Sequence, residues 1–316
     1  MQYIHRHDLI APERLKTLMQ RSDARAWRQW LSHLGAIGLS TILLRISYGS
    51  LWALPVFVVH GVLLNFLYAA QHEMMHGTAF RTRGLNRWFS RITGFVVLFP
   101  RDYDRIMHFA HHRHTNDPNR DPELMGYNEQ AGNPNLAVFL WRLSCVPYWL
   151  RRVGRLVRVA AGRLDIEQYM SKAEQRTVIR EARAHLAGYA LLAGGSLALG
   201  TGALLWYWLL PLFATKWLHE VQNLVEHGAL PLVDNVLENT RTIRTHPLLH
   251  WLAWNMQYHC DHHLFAAVPF YHLPALHREI HGHIHNVTPG YGAALAEVLA
   301  GVGNSGAVAD GRGPMT

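Results

Sequence analysis

An apolar run of about 40 residues, from Leu31 to Ala70, is interrupted only near Arg45-Ile-Ser-Tyr-Gly-Ser50. A helix rises about 1.5 Å per residue and a bilayer takes roughly 20 residues per crossing, so the run fits two antiparallel helices joined by a tight turn. A second apolar stretch, from about His185 to Val225, repeats the layout with Gly194, Gly195, Gly200 and Gly202 in its middle. The competing reading is a buried hairpin in a water-soluble fold. Arg45 and His60 are its best support, because ionisable groups are costly in lipid. Arg45, near a helix end, can extend its charge to the interface, and His60 reads as a satisfied interior histidine rather than a ligand.

The charge distribution orients these hairpins. The formal net charge is +8. The two turns near residues 45–51 and 200–206 carry only Arg45, whereas residues 72–184 alone carry 18 Lys or Arg. The positive-inside rule therefore places both termini and the polar segments in the cytoplasm. The expected fold class is all-α, an integral membrane protein of four transmembrane helices in two hairpins under a cytoplasmic helical cap. It divides into an interfacial lead-in (1–30), a first hairpin (31–71), cap (72–184), a second hairpin (185–225), further cap (226–300) and a flexible tail (301–316). The first 30 residues are polar and charged and show no cleavable signal peptide. Residues 139–159 mix Trp141, Tyr148, Trp149 and Leu150 with Arg142, Arg151, Arg152, Arg155 and Arg158, a pattern suited to a helix lying on an anionic membrane. That explains the basic charge better than nucleic-acid binding does. The expected location is a bacterial inner membrane.

The polar segments carry most of the chemistry. There are 23 histidines and 2 cysteines. Cys145 and Cys260 have no partner pattern, which excludes a disulfide framework or a thiolate zinc site. His108, His111 and His112 sit at i, i+3 and i+4, on one face of a helix. The same offsets return at His259, His262 and His263, and His72 and His76 form an i, i+4 pair. Imidazole without thiolate suits iron, zinc, copper or nickel. A closed zinc site needs only four ligands, and three boxes already supply eight, so two metals is the economical reading. Asn223-Leu-Val-Glu-His227 adds a ninth histidine, His227, with Asn223 one turn before it to hold a metal-bound water. Ligating histidines need acceptors on their other nitrogen, and Glu73, Asp102, Asp104, Asp117, Asp121, Glu226 and Asp261 lie near in sequence. His114, His272 and His277 read as structural, and His281, His283 and His285 as a solvated loop.

These features resemble the membrane fatty acid desaturase and hydroxylase superfamily. The carrying residues are His72 and His76, then His108, His111 and His112, then His259, His262 and His263, with Asn223 and His227 on the last span. The stretch His263-Leu-Phe-Ala-Ala-Val-Pro-Phe-Tyr-His-Leu-Pro274 resembles the surroundings of the family's third box, and the resemblance covers most of residues 30–280. It implies a non-haem di-iron centre that activates O2 and abstracts hydrogen from an unactivated C–H bond. The expected reaction is desaturation of a fatty acyl or other lipid-like chain. A hydroxylase or ketolase acting on alkanes, carotenoids or a small amphiphile is the alternative, and Asp117-Pro-Asn-Arg-Asp-Pro-Glu123 resembles ketolase-like members. With no fused electron-transfer domain, electrons must come from a separate ferredoxin, rubredoxin or cytochrome, which a basic face would attract if the donor is acidic.

Two other classes compete. A membrane metal-binding or transport protein would place its ligands at mid-bilayer, but these boxes follow the spans. His72-Glu73-Met74-Met75-His76 fits the HExxH string of zinc metalloproteases, in which Glu73 would be a general base. The two further boxes and the paired hairpins outweigh it.

Overall fold

The computed structural model describes residues 6–124 and 135–302. The tail expected to be flexible lies, from residue 303 onward, outside these residues. The described chain is mostly helical. Its one addition to the all-α expectation is a pair of three-residue parallel strands, β1 (Thr242–Arg244) and β2 (Val287–Pro289), with Ile243 opposite Thr288.

The first long helix, α1 (Asp23–Ile46), starts earlier than the hydropathy suggests. Ser22 caps it by accepting from Arg25 N–H, and Trp27 and Trp30 pack on Phe89. The end of the interfacial lead-in is thus part of the first hairpin. A turn containing Gly49, at φ +81°, leads to α2 (Ala53–Met75). The helix Ala53–His76 contains an 18-residue window with a mean hydropathy of 1.8 and is the one helix among the described residues long and apolar enough to cross a membrane by length and composition alone. The other long helices carry charge within their length. α1 has Arg25, Arg28 and Arg45.

Two amphipathic helices follow, α3 (Arg83–Val96) and α4 (Arg101–His114). The basic segment forms α5 (Leu136–Leu143) and α6 (Val146–Ala160), separated at Cys145, whose φ of 59° breaks the helix. Leu140, Trp141, Leu150 and Val157 remain exposed on this pair. A Ser171–Glu174 capping box starts α7 (Lys172–Ala198). After Gly200, at φ +60°, the chain turns back. It passes through a π turn (Leu205–Leu209) into α8 (Leu210–His227).

Pro211 has a physical consequence at this π turn. Proline has no N–H to give the preceding turn, and the Tyr207 carbonyl accepts instead from His60 Nε2 at 2.8 Å. His60 Nδ1 lies 2.8 Å from Ser40 Oγ, so this buried histidine ties α1, α2 and the π turn together, as an interior histidine should. Next to it the Asn65 Nδ2 amide, with two N–H groups, lies within 3.0 Å of three acceptors, Gly61 O, Leu212 O and Thr215 Oγ1. Gly61 permits this close crossing of α2 and α8, because a Cβ there would overlap the Pro211 carbonyl and lie 2.5 Å from Thr215 Oγ1. Gly61→Ala is therefore expected to push the helices apart at a cost of ~1–3 kcal/mol. A thermal midpoint equal to that of the unaltered chain would refute this.

Below the hairpins, α9 (His259–Leu264), α10 (Leu273–Ile280) and α11 (Tyr291–Gly301) close the fold around the ends of α2, α4 and α8. β1 holds α9 in place: Thr242 Oγ1 donates to Asp261 Oδ2, and Ile243 N–H donates to Gln257 O.

Candidate metal centre

The first box is not beyond the apolar helix, as its hydropathy limit suggests, but on it. His72 lies in the last turn of α2, and His76 caps that helix. α4 carries the second box, α9 the third and the C-terminal end of α8 carries His227. Four helix ends thus converge, and the nine histidines sort into two groups. His72, His76, His108, His112 and His262 form one, and His111, His227, His259 and His263 the other. Within each group the ligand nitrogens all lie within 4.8 Å of one another. The groups adjoin, since the rings of His112 and His263 stack with centroids 4.1 Å apart.

Each HxxHH box divides in the same way. His108 and His112, one turn apart, go to the first group, while His111 crosses to the second. His259 and His263 go to the second, while His262 crosses to the first. Consecutive positions on a helix point about 100° apart, so the i, i+4 pair shares a direction that its i+3 neighbour does not. Two boxes facing each other therefore complete each other's groups. Asn223 lies half-buried one turn before His227 on α8.

The nitrogens are arranged for a cation. His108 Nε2 lies 3.0 Å from His76 Nε2 and 2.9 Å from His112 Nε2. His72 and His262 meet at 2.8 Å through the same atoms, as do His227 and His259 at 2.9 Å. One imidazole N–H cannot serve two such contacts. His263 Nε2 is buried with no hydrogen-bond partner, a costly arrangement unless something else occupies its lone pair. Burial, together with the neighbouring imidazoles, holds His108, His112, His259, His262 and His263 well below the ordinary histidine range. They are neutral, the form that binds metal. His111 differs. Burial lowers it, but the charge of Glu123 and the hydrogen bond and charge of Asp121 outweigh burial and push it up to about 9. A cation bound there would displace that proton. The residues present therefore fit two cations ligated by nitrogen.

The outer nitrogens show what positions the rings. His111 Nδ1 meets Asp121 Oδ2 at 2.8 Å, His227 Nδ1 donates to the Asn239 carbonyl at 3.0 Å, and His263 Nδ1 lies 3.2 Å from Thr115 Oγ1. Glu73 lies 3.8 Å from His262 Nδ1, Glu226 3.8 Å from His259 Nδ1, and Glu123 3.5 Å from His108 Nδ1. Of the seven carboxylates near the boxes in sequence, Asp121, Glu73 and Glu226 hold this position. Asp102 instead pairs with Arg91 and Arg101, Asp104 accepts from Gln71, Asp117 pairs with Arg120 near the surface, and Asp261 takes His277 and Thr242. Glu123, Thr115 and Asn239 were missed. Glu123 ends the noted Asp117–Glu123 stretch, but nothing in the sequence singles out a backbone carbonyl at Asn239. His114 faces Tyr169, away from both groups.

Glu73 also decides the HExxH question. Its Oε2 accepts from Phe270 N–H and Thr78 Oγ1, both at 3.1 Å, and its side chain is fully buried on the outer side of His262. A metalloprotease base must reach a metal-bound water, whereas this carboxylate is held through Oε2 by a backbone N–H and a hydroxyl, with Oε1 buried 3.8 Å from the outer nitrogen of His262.

A profile of fatty acid desaturases matches residues 49–293. The chain belongs to the fatty acid desaturase family. This desaturase-family protein is similar to an sn-1 oleoyl-lipid 12-desaturase of Synechocystis sp., at 24% identity over 85% of this chain and 81% of the relative. It is similar to a fatty acid desaturase of Bacillus subtilis at 25% identity, covering 79% and 73% of the two chains. A zeaxanthin 4-ketolase of Chlamydomonas reinhardtii matches at 37% identity over 82 residues, 24% of this chain and 17% of the relative. The chain is thus a lipid-modifying oxidoreductase, and the zinc-protease and metal-transport readings lose their basis.

Asp121 offers a test within the site. Asp121→Asn keeps the shape but removes the charge that orients His111. Metal affinity of the second group is expected to fall ~10–100-fold, read by titrating metal into the apo-protein. Unchanged affinity would show that Asp121 only caps Asn116 N–H, to which it is also bonded at 2.9 Å.

Proposed function

We propose that this protein is a membrane-embedded, O2-dependent di-iron oxidoreductase that desaturates a fatty acyl or other lipid-like chain. The observation that carries the reading is the sorting of nine buried or half-buried imidazoles into two adjacent sets of candidate ligand nitrogens. The first group would hold one iron and the second the other, with Asn223 available to hold a water near the second. Iron there supplies O2 activation and the power to oxidise an unactivated C–H bond. The balanced reaction takes two hydrogens from –CH2–CH2–, two electrons and two protons from outside, and O2, and yields an alkene and two waters.

The chain's own residues would do the rest. Asp121, Asn239 O and Thr115 would keep the rings of His111, His227 and His263 turned with Nε2 inward, and Glu73 and Glu226 face His262 and His259 from 3.8 Å. Burial of the groups excludes bulk water. His72 and His227 lie at the ends of the two apolar hairpins, so a greasy chain entering between α2 and α8 would meet the site without crossing water. Each buried CH2 contributes ~0.8 kcal/mol, which favours long chains over small polar substrates.

The membrane placement draws on the surface. Leu39, Ile42, Ile46, Leu51, Trp52 and Leu54 are exposed around the first turn, and Leu191, Leu197, Leu199 and Leu205 around the second. Such an apolar belt suits lipid, and the positive charge at the opposite ends supports four spans with the histidines and termini in the cytoplasm. The electron donor would be a separate ferredoxin, rubredoxin or cytochrome. One relative, an omega-3 desaturase of Synechocystis sp., carries ferredoxin in its name. The ketolase match favours one second reading, oxygen insertion into a carotenoid-like chain.

The test is reconstitution of anaerobically purified protein with reductase, electron carrier, O2 and a panel of lipids, carotenoids and polar amphiphiles. Loss of two hydrogens from an acyl chain supports desaturation, while gain of oxygen supports the second reading. One tightly held zinc and no O2-dependent turnover after iron is supplied would overturn both.

A further inference from the structure

A groove of about 560 Å³ runs between α3 and α7 and shares no residue with the histidine groups. Its apolar wall is Ile92, Phe95 and Val96 from α3 and Ala184 from α7, with Trp88 at its rim. Trp88 and Ile92 are 64% and 52% exposed, an unfavourable patch in water. At the inner end α3 and α7 touch, since a Cβ on Gly188 would lie 2.7 Å from the Phe95 ring.

The polar end carries two guanidinium groups and two carboxyl groups, with Arg180 the exposed member. Arg91 and Arg180 line it, with Arg87 and Arg176 one helical turn before them on the same helices. Of the acids that also line it, Asp102 pairs with Arg91 and Arg101, while Glu181 accepts from Asp102 N–H at 2.7 Å through Oε2 and keeps Oε1 buried without a hydrogen-bond partner. Arg180, on the exposed surface, reaches only as far as Thr177 Oγ1, at 3.5 Å. The groove also lies where α7 changes character. Arg176, Arg180 and Arg183 lie on the part of α7 at or before it, and the exposed Leu191, Leu192 and Leu197 follow. An apolar trough that opens toward the lipid-facing part of a helix and ends in guanidinium groups complements an amphiphile with a phosphate at its head.

We propose that this groove holds a glycerophospholipid of the surrounding leaflet, with an acyl chain along Ile92 and Phe95 and its phosphate at Arg180 and Arg91. The assignment rests on the membrane placement of the hairpins and is independent of the iron chemistry. The lipid sits beside the third proposed span and bridges α3 to α7, away from the histidines.

The test uses the full chain in mild detergent, with and without iron, analysed by native mass spectrometry and by phosphorus assay of extracted lipid. About one phospholipid per chain should survive purification. Arg180→Glu and Ala184→Phe, both at exposed positions, should each lower retention roughly tenfold or more, as expected for loss of a charge-assisted hydrogen bond or filling of the trough. Unchanged thermal midpoints would show that both variants fold. Excess inorganic phosphate should not displace the lipid. Absence of bound lipid, undiminished retention in both variants, or displacement by phosphate alone overturns the proposal. Flotation of the same protein with liposomes reports the membrane placement separately, and lipid retention by the iron-free chain separates this outcome from failure of the di-iron reading.

Discussion

His227→Ala is expected to lower iron from about two equivalents per chain to about one and to reduce turnover by more than ~100-fold, beyond the ~10–100-fold typical of losing a residue that only orients a ligand. His227 is one of only four histidines in its group, and it meets His259 at 2.9 Å through the inward nitrogens. Alanine would leave three ligands and a gap at the end of α8 through which water could enter. The first group contains no residue of α8 and should keep its iron. Asn223→Ala supplies the contrast: an amide that holds a water should cost ~10–100-fold in turnover with less loss of iron. Iron analysis beside single-turnover assays separates the two. Full iron and full activity in His227→Ala would remove it from the ligand set.

Arg241→Met should produce a comparable loss by a different route. Arg241 is 1% exposed, unusual for a guanidinium. Its Nη1 donates to the Val225 and Gly228 carbonyls around the end of α8, and its Nη2 pairs with Glu297 of α11 at 2.6 Å. Its backbone N–H also serves Glu226 O at 2.9 Å. The last carbonyls of a helix have no partners within it, and here one side chain supplies them beside His227. Methionine fills much of the space but donates nothing. Each buried acceptor left unserved costs ~1–3 kcal/mol, so the thermal midpoint should fall by several degrees, roughly 2–4 °C per kcal/mol in a chain somewhat smaller than this one. The second group should lose metal first, because its fourth ligand sits on the loosened helix end. A midpoint and iron content like those of the unaltered chain would show that α11 and the helix end are held by other contacts.

The parts of the site legible in the sequence are those with a period. The histidines at 108, 111, 112 and at 259, 262, 263 repeat a helical spacing, and His227 follows an apolar stretch as His72 ends another. Carboxylates were less legible, because proximity along the chain says little about direction. Asp261 lies between two ligands of α9 and turns outward to His277 and Thr242, whereas Glu123 reaches His108 from beyond the end of α4. The HExxH string shows the same limit. It places Glu73 next to His72, but only the packing of Phe270 and Thr78 against α2 shows that the carboxylate supports His262 rather than facing the centre.

Local chemistry written in the chain therefore determined the helical class, the histidines that cluster and the presence of two helical hairpins. These depend on residue type and on spacings within a few turns. Tertiary structure alone decided how the histidines are shared between the two groups. His111 and His112 are neighbours in sequence yet serve different groups, because a helix turns about 100° between them and because α9 presents the matching pair from across the core. The contacts that hold His227 come from Asn239 and Arg241, beyond the end of its helix. No periodicity predicts them, since their roles arise only when a loop folds back to satisfy the carbonyls and the ring nitrogen that the end of α8 leaves open.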